Sequence, residues 1–384
     1  MGERTYYLDH AAATPCDPRV ISAMEPYFSG VFYNPSASYT GGREAKTALE
    51  GARGTIANII GAKPNDIIFT AGATESINLA IQGVLSRGGK AVISAVEHVA
   101  VRKAVEEYPY AIAAVDATGR IDLADMERQI DDETTLVSVV LADNEFGTVQ
   151  PLSDVARILE TIRDSRRERG VTTPLYFYTD ASQGQTILDL SVSRLGVDMM
   201  TLNSGKCYGP KQMGALWLKP SVQIRPFIVG GGQERGLRGG TENVAEAVGF
   251  AAALGFVQAD RHAEAERLRE IKRRLMNELA AQVPDIVFDG HPKRSLPGHI
   301  HMHVDGLDAE RVVFHLDNEG VYIATGAACS ANKETRLPSL EAIGLTESQA
   351  DGSLRVTLGH LNAIEDVPYI AERIASAIQA ERNL

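Results

Sequence analysis

An aspartate closes a run of strand-forming residues at Tyr176-Phe177-Tyr178-Thr179-Asp180, and a lysine follows at 206 in the small-residue turn Asn203-Ser204-Gly205-Lys206-Cys207-Tyr208-Gly209-Pro210. A lysine amine can hold an aldehyde as an imine, and a carboxylate set against a pyridine nitrogen keeps that nitrogen protonated. Pyridoxal phosphate needs both groups to act as an electron sink for carbanions. A solitary Asp or Lys is more often merely solvated, so the reading depends on what the rest of the chain supplies.

Several further loops follow strand-like runs, which is where an open α/β sheet binds ligands. Thr70-Ala71-Gly72-Ala73-Thr74-Glu75-Ser76 passes from a strand into the helix-like Ile77-Asn78-Leu79-Ala80. The free N–H groups and positive dipole end of such a helix form a phosphate cup. Val96-Glu97-His98 offers an imidazole able to stack on an aromatic cofactor or to shuttle protons,. Asp143-Asn144-Glu145-Phe146-Gly147-Thr148, Gln183 and the glycine-rich run from Gly230 to Asn243 complete the set. Cys329 lies among Gly, Ala and Ser residues with too little apolar bulk for a core strand, which suits an accessible nucleophile better than a packed thiol,.

The elements that must position these residues alternate. Ile67-Ile68-Phe69-Thr70, Ala91-Val92-Ile93-Ser94 and Leu136-Val137-Ser138-Val139-Val140 are short apolar strands separated by helix-length segments. That pattern predicts a mainly parallel sheet with helices on both faces. Residues 260–282 read as a charged amphipathic helix leading into a second unit, a smaller α+β domain with the strand His299-Ile300-His301-Met302-His303-Val304 and a closing helix near 366–381. The length of 384 residues fits two to three domains,. With 38 basic and 50 acidic residues the net charge is −12, which disfavours nucleic acid and anionic membranes as direct partners,. No apolar run approaches membrane-spanning length and the start of the chain has no signal-peptide pattern, so a soluble, cytoplasmic protein is expected,. Cys16, Cys207 and Cys329 are too scattered for a disulfide framework or a zinc knuckle,. Cys207 reads as a packing residue. His299, His301 and His303 share one strand face, and a structural role outweighs a metal role for them.

Taken in order, these motifs resemble the class V branch of fold-type I pyridoxal-phosphate enzymes, specifically cysteine desulfurases of the NifS/IscS kind. The likeness runs from Tyr7-Leu8-Asp9-His10-Ala11-Ala12-Ala13-Thr14-Pro15 through Asn34-Pro35-Ser36, the loops above and Tyr208-Gly209-Pro210-Lys211, to Ala324-Thr325-Gly326-Ala327-Ala328-Cys329-Ser330 and Leu354-Arg355-Val356-Thr357-Leu358-Gly359. It implies a large cofactor domain over 16–257 around a seven-stranded sheet, and a small domain formed by 1–15 and 258–384. By matching position, Lys206 is the imine lysine and proton carrier, and Asp180 pairs the pyridinium. Gln183 bonds the ring hydroxyl and His98 stacks on the ring. Ala73, Thr74, Asn203 and Gly205 fall at the phosphate end, and Thr241 matches a phosphate contact donated by a neighbouring subunit, which implies a homodimer. Asn144 and Arg355 match the groups that hold the carboxylate of L-cysteine, for which a guanidinium fork is suited. Cys329 matches the nucleophile that takes up sulfur as a persulfide while alanine departs, for delivery to an iron–sulfur scaffold or a tRNA-thiolation carrier. A selenocysteine lyase or other class V enzyme, and a weakly active homologue acting as a binding partner, are the alternatives.

The chain departs from the family pattern at several points. The usual Ser-x-His-Lys is Asn203-Ser204-Gly205-Lys206, which implies rearranged phosphate binding, with Ser204 or the Gly205 N–H able to contribute,. Tyr178, Tyr39 and His360 likewise stand where the family has other residues.

Overall fold

The fold is that of a computed structural model describing residues 5–326 and 338–383. A two-residue strand, β1 (Tyr6–Tyr7), precedes the strands of the large sheet: β2 (Ile67–Thr70), β3 (Lys90–Ser94), β4 (Tyr110–Ala113), β5 (Thr134–Ser138), β6 (Tyr176–Asp180), β7 (Met199–Asn203) and β8 (Gly214–Leu218). Their spatial order is β2-β8-β7-β6-β5-β3-β4. The pairs β3/β4, β3/β5, β5/β6 and β6/β7 are parallel, and β8 alone runs against its neighbours β7 and β2. Successive side chains of one strand serve opposite faces. Phe177 and Met200 enter one hydrophobic core, whereas Tyr178 and Met199 enter the core on the other side. Burial on both faces explains why the middle of these strands shows no strict apolar–polar alternation.

The smaller unit is built on an antiparallel sheet. Its strands are β9 (Val287–Asp289), β10 (His299–His303), β11 (Val321–Tyr322), β12 (Ala324–Thr325) and β13 (Ser353–Thr357), with the order β12-β13-β10-β9 and a separate parallel pair β1-β11. Helices Ala309–Asn318 and Val367–Arg382 contribute Val312, Leu316, Ile370 and Ile374 to its core. One 39-residue helix, Val244–Gln282, serves both cores. Val244, Phe250, Leu254 and Val257 pack into the first, and Leu268, Ile271, Leu275 and Leu279 into the second. The charged half of this helix is the one the sequence pattern identified. The preceding half is largely apolar and buried, so it lacks the polar stripe that marks an amphipathic helix.

His299, His301 and His303 are all buried, on the face of β10 opposite Ile300 and Met302, which enter the core of the small unit. Asp289, on the neighbouring β9, accepts hydrogen bonds at Oδ2 from His301 Nδ1 at 2.8 Å and His303 Nδ1 at 2.9 Å. Two imidazoles thus share one carboxylate, and among the described residues no group of three or more His, Cys, Asp or Glu side chains is arranged to hold a metal ion. No described helix is long and apolar enough to cross a membrane.

Candidate active site

The parallel strands β3, β5, β6 and β7 all point their C-terminal ends to one side of the sheet, and the segments that leave them carry His98, Asn144, Asp180 and Lys206. These four, with Ala73, Thr74, Gln183, Asn203 and Arg355, line a single cavity of about 290 Å³. Arg355 reaches it from β13 of the small unit. Gly205 and Thr241 do not line the cavity of their own chain, and Cys329 falls outside the described residues.

Asp180 is the last residue of β6 and is buried. Its Oδ1 accepts from the Ser182 N–H at 2.9 Å and the Ser182 Oγ at 2.6 Å, which fixes the carboxylate plane. Lys206 ends a one-turn 3-10 helix, Ser204–Lys206, and its Nζ donates to the carbonyls of Ala11 and Ala12, each at 2.6 Å. Burial, reinforced by the positive charge of Arg355 and opposed by Asp9 and Asp180, lowers its pKa from 10.5 to about 8. Gln183 Nε2 donates to the same Ala11 carbonyl at 3.0 Å. His98 caps the helix Val99–Val105, its Nδ1 accepting from Ala100 N at 3.1 Å, so the ring proton of the neutral form sits on Nε2. Its ring faces the cavity, where enclosure by protein lowers its pKa, aided by Lys206 and countered by Asp180.

Where Ala73 and Thr74 line the cavity, backbone sets its shape. Gly72 adopts φ +127°, a conformation that L side chains rarely take, and starts the helix Ala73–Leu85 with no side-chain cap. The helix end is therefore left to an external acceptor. Gly214 is needed beside it, because a Cβ there would lie 2.6 Å from the Gly72 carbonyl carbon. Asn203 Oδ1 accepts from the Gly205 N–H at 3.2 Å, so that N–H is already used, and Gly205 O accepts from Thr14 N at 3.1 Å. Gly205 thus offers no free donor, contrary to the expectation from sequence. Ser204 is also unable to contribute from where it stands. It is fully buried, and its Oγ lies 2.2 Å from the position a Cβ on Gly209 would take. The tight 3-10 turn sends Ser204 away from the cavity and leaves Asn203 as the one residue of that pair lining it.

Arg355 is held in the cavity wall by two carboxylates. Its Nη1 donates to Glu145 Oε1 at 2.7 Å and to the Asn144 carbonyl at 3.2 Å, and its Nη2 donates to Asp9 Oδ1 at 3.0 Å. The Asn144 side-chain amide also donates to Glu145 Oε1. One carboxylate knits this loop: Asp143 accepts from Glu145 N at 3.0 Å, Phe146 N at 2.6 Å and Thr148 N at 2.8 Å. Burial raises its pKa to about 7 against those bonds. Glu97, buried beside Asp180, accepts from Ser138 Oγ at 3.1 Å, and burial followed by the charge of Asp180 pushes its pKa to about 8. It is therefore mostly a neutral acid at pH 7.

Asp9, Ser182 and Glu145 had no assigned role in the sequence. Ser182 carries a local signal, since an aspartate side chain often accepts from the N–H two residues further on,. For Asp9 and Glu145 the signal was confined to their presence in quoted motifs. Cys207 is fully buried in the large core and burial raises its thiol pKa, in keeping with packing. His360 stacks on Tyr208 at 3.9 Å between ring centroids, and the Tyr178 hydroxyl donates to Thr201 Oγ at 2.8 Å.

The residues fit pyridoxal phosphate: an open helix N-terminus, a fixed carboxylate, an imidazole and a lysine of lowered pKa share one cavity. Residues 6–370 match the model of the aminotransferase class-V family, and the chain belongs to that family of pyridoxal-phosphate enzymes. It is 36% identical over 389 residues to "Cysteine desulfurase IscS 1" of Archaeoglobus fulgidus, with 98% of each chain covered. Among solved structures, a "NIFS-like protein" superimposes with a TM-score of 0.90 at 29% identity, covering 98% of this chain and 100% of that one. The structure titled "SspA in complex with cysteine" gives a TM-score of 0.78 at 31% identity over 92% of this chain and 99% of that one.

Proposed function

We propose that this protein is a cysteine desulfurase that takes sulfur from L-cysteine, releases L-alanine and carries the sulfur as a persulfide on Cys329. The observation that carries the reading is the convergence of Lys206, Asp180, His98 and Arg355, from four separate segments, on one cavity. When bound, pyridoxal phosphate supplies an electron-withdrawing ring that labilises bonds at the carbon of an attached amino acid. Asp180, held by Ser182, would stabilise positive charge on the ring nitrogen, and the His98 imidazole would pack on the ring. The Lys206 amine, with a pKa of about 8, can both accept and return a proton near neutral pH,. Arg355 and Asn144 orient the substrate carboxylate. The Cys329 thiolate attacks the substrate sulfur, so an S–S bond forms as the Cβ–S bond breaks. The carbon side keeps the electron pair and is protonated to leave as alanine.

Thr241 is exposed and absent from its own chain's cavity, which supports reading it as a contact to a partner subunit's cofactor phosphate and the protein as a homodimer. We assign 16–257 to the large domain and 1–15 with 258–384 to the small one, supported by the change of core partway along the helix Val244–Gln282. An iron–sulfur scaffold or a tRNA-thiolation carrier in the cytoplasm is the sulfur acceptor this reading calls for. The test is incubation with L-cysteine without reductant. One added sulfur mass on the Cys329 peptide with stoichiometric alanine is expected, and alanine formation without any sulfur on Cys329 refutes the nucleophile assignment.

A further inference from the structure

The N-terminal segment lies against both cations of the cavity. Lys206 Nζ donates to the Ala11 and Ala12 carbonyls, and two residues earlier the Asp9 carboxylate holds Arg355 Nη2 at 3.0 Å. Arg355 therefore has a carboxylate on each arm, and the two are not equivalent. The Glu145 side chain is 5% exposed and is also bonded by the Asn144 amide, so it is a fixed part of the loop. The Asp9 side chain is 21% exposed, and among the described residues its carboxylate hydrogen-bonds to Arg355 alone. Of the two partners, Asp9 is the one an incoming carboxylate can displace.

We propose that Asp9 occupies on Arg355 the place taken by the substrate's carboxylate, so that substrate docks by displacing an internal carboxylate. The inference rests on reading Arg355 as the carboxylate holder. With Glu145 on one arm of the guanidinium, Asp9 holds the Nη2 arm in place until a substrate carboxylate takes it over,. The arrangement also acts as a selection device. A ligand with its own carboxylate replaces the Asp9 bond like for like, whereas one bearing an amide or nothing at that position leaves Asp9 in place.

The experiment titrates the cofactor-loaded protein with L-alanine and with L-alaninamide, followed by the change in its visible spectrum. Asp9→Asn removes the competing charge and keeps the shape. L-Alanine should then bind about three- to tenfold more tightly, the range for losing one competing charged hydrogen bond at a partly exposed site, while L-alaninamide binds as before. Asp9→Ser is the second variant should Asp9→Asn not retain cofactor. An unchanged Kd for L-alanine overturns the proposal. A raised Kd also overturns it, by showing that Asp9 assists docking instead of competing with it. Arg355→Gln separates this failure from that of the underlying reading: if Arg355→Gln binds L-alanine like the parent, the Arg355 assignment falls and the Asp9 proposal with it. If Arg355→Gln weakens binding and Asp9→Asn leaves it unchanged, only the Asp9 proposal falls.

Discussion

If pyridoxal phosphate attaches at Lys206 as proposed, attachment requires the neutral amine, and the structure sets how much of it is neutral. With its pKa lowered to about 8 by burial first and the Arg355 charge second, about a quarter of Lys206 is deprotonated at pH 7.5, against about one part in a thousand for a solvated lysine. The neutral fraction is thus about 200-fold larger than for an ordinary side chain. The assay is stopped-flow absorbance of cofactor-free protein mixed with pyridoxal phosphate, with a small solvated amine run in parallel to remove the reagent's own titrations. The attachment rate should rise with pH to a midpoint near 8 and then level. Because Arg355 lowers the Lys206 pKa and Asp9 raises it, Arg355→Gln should move the midpoint up and Asp9→Asn should move it down. The same shift makes the cofactor-free protein gain stability as pH rises from about 8 toward 10.5, since the unfolded chain there holds a proton that the fold disfavours,. A rate that keeps climbing tenfold per pH unit up to pH 10 would refute the reasoning, because it would describe a lysine with an ordinary amine.

Three further outcomes are expected. Cys329→Ser should stop alanine formation from L-cysteine while the visible cofactor band remains, whereas Cys207→Ser should stay active and native Cys207 should resist alkylation, being fully buried with a raised thiol pKa,. Glu234→Gln breaks a buried pair in which Arg53 reaches Glu234 through two bonds of 2.7 Å, and urea unfolding should show a loss of about 3 kcal/mol because the buried Arg53 guanidinium keeps only the half-exposed Glu50 as a counter-charge,. The double change Asn203→Ser with Gly205→His should tighten cofactor retention on dialysis by about 1–3 kcal/mol; the new side chain at 205 meets the flexible Lys211 Cδ, 3.1 Å from the built Cβ, which can move aside, and no gain would mean that Asn203 and the helix end already complete the phosphate cup.

Much of this molecule was legible in its residues because the relevant signals are local. Strands buried on both faces carry apolar runs with no polar alternation, so Ala91-Val92-Ile93 in β3, Leu136-Val137 in β5 and Tyr176-Phe177-Tyr178 in β6 are legible, although β5 begins at Thr134 and ends at Ser138 instead of running on to Val140,. Asp180 and Lys206 stand near strand ends where a parallel sheet gathers ligands,. The type of each side chain fixed what it could do: an imine at Lys206, a carboxylate contact at Asp180, a guanidinium fork at Arg355. Partners distant in the chain carried no such signal. Arg355 meets Glu145 and Asp9 across separations of 210 and 346 residues, and neither contact leaves a trace in periodicity or composition. Side-chain direction within a short turn was equally hidden. Only the closed 3-10 turn decides that Ser204 points into the core and that the Gly205 N–H goes to Asn203. The apolar half of the helix Val244–Gln282 was masked for the opposite reason, since a segment buried all round loses the polar stripe by which a helix is recognised,. Residue identity and local pattern determined the chemistry available to this protein. The packing of two cores around that helix decided which groups meet, because hydrogen bonds and charge pairs between distant segments exist only once the chain has closed on itself.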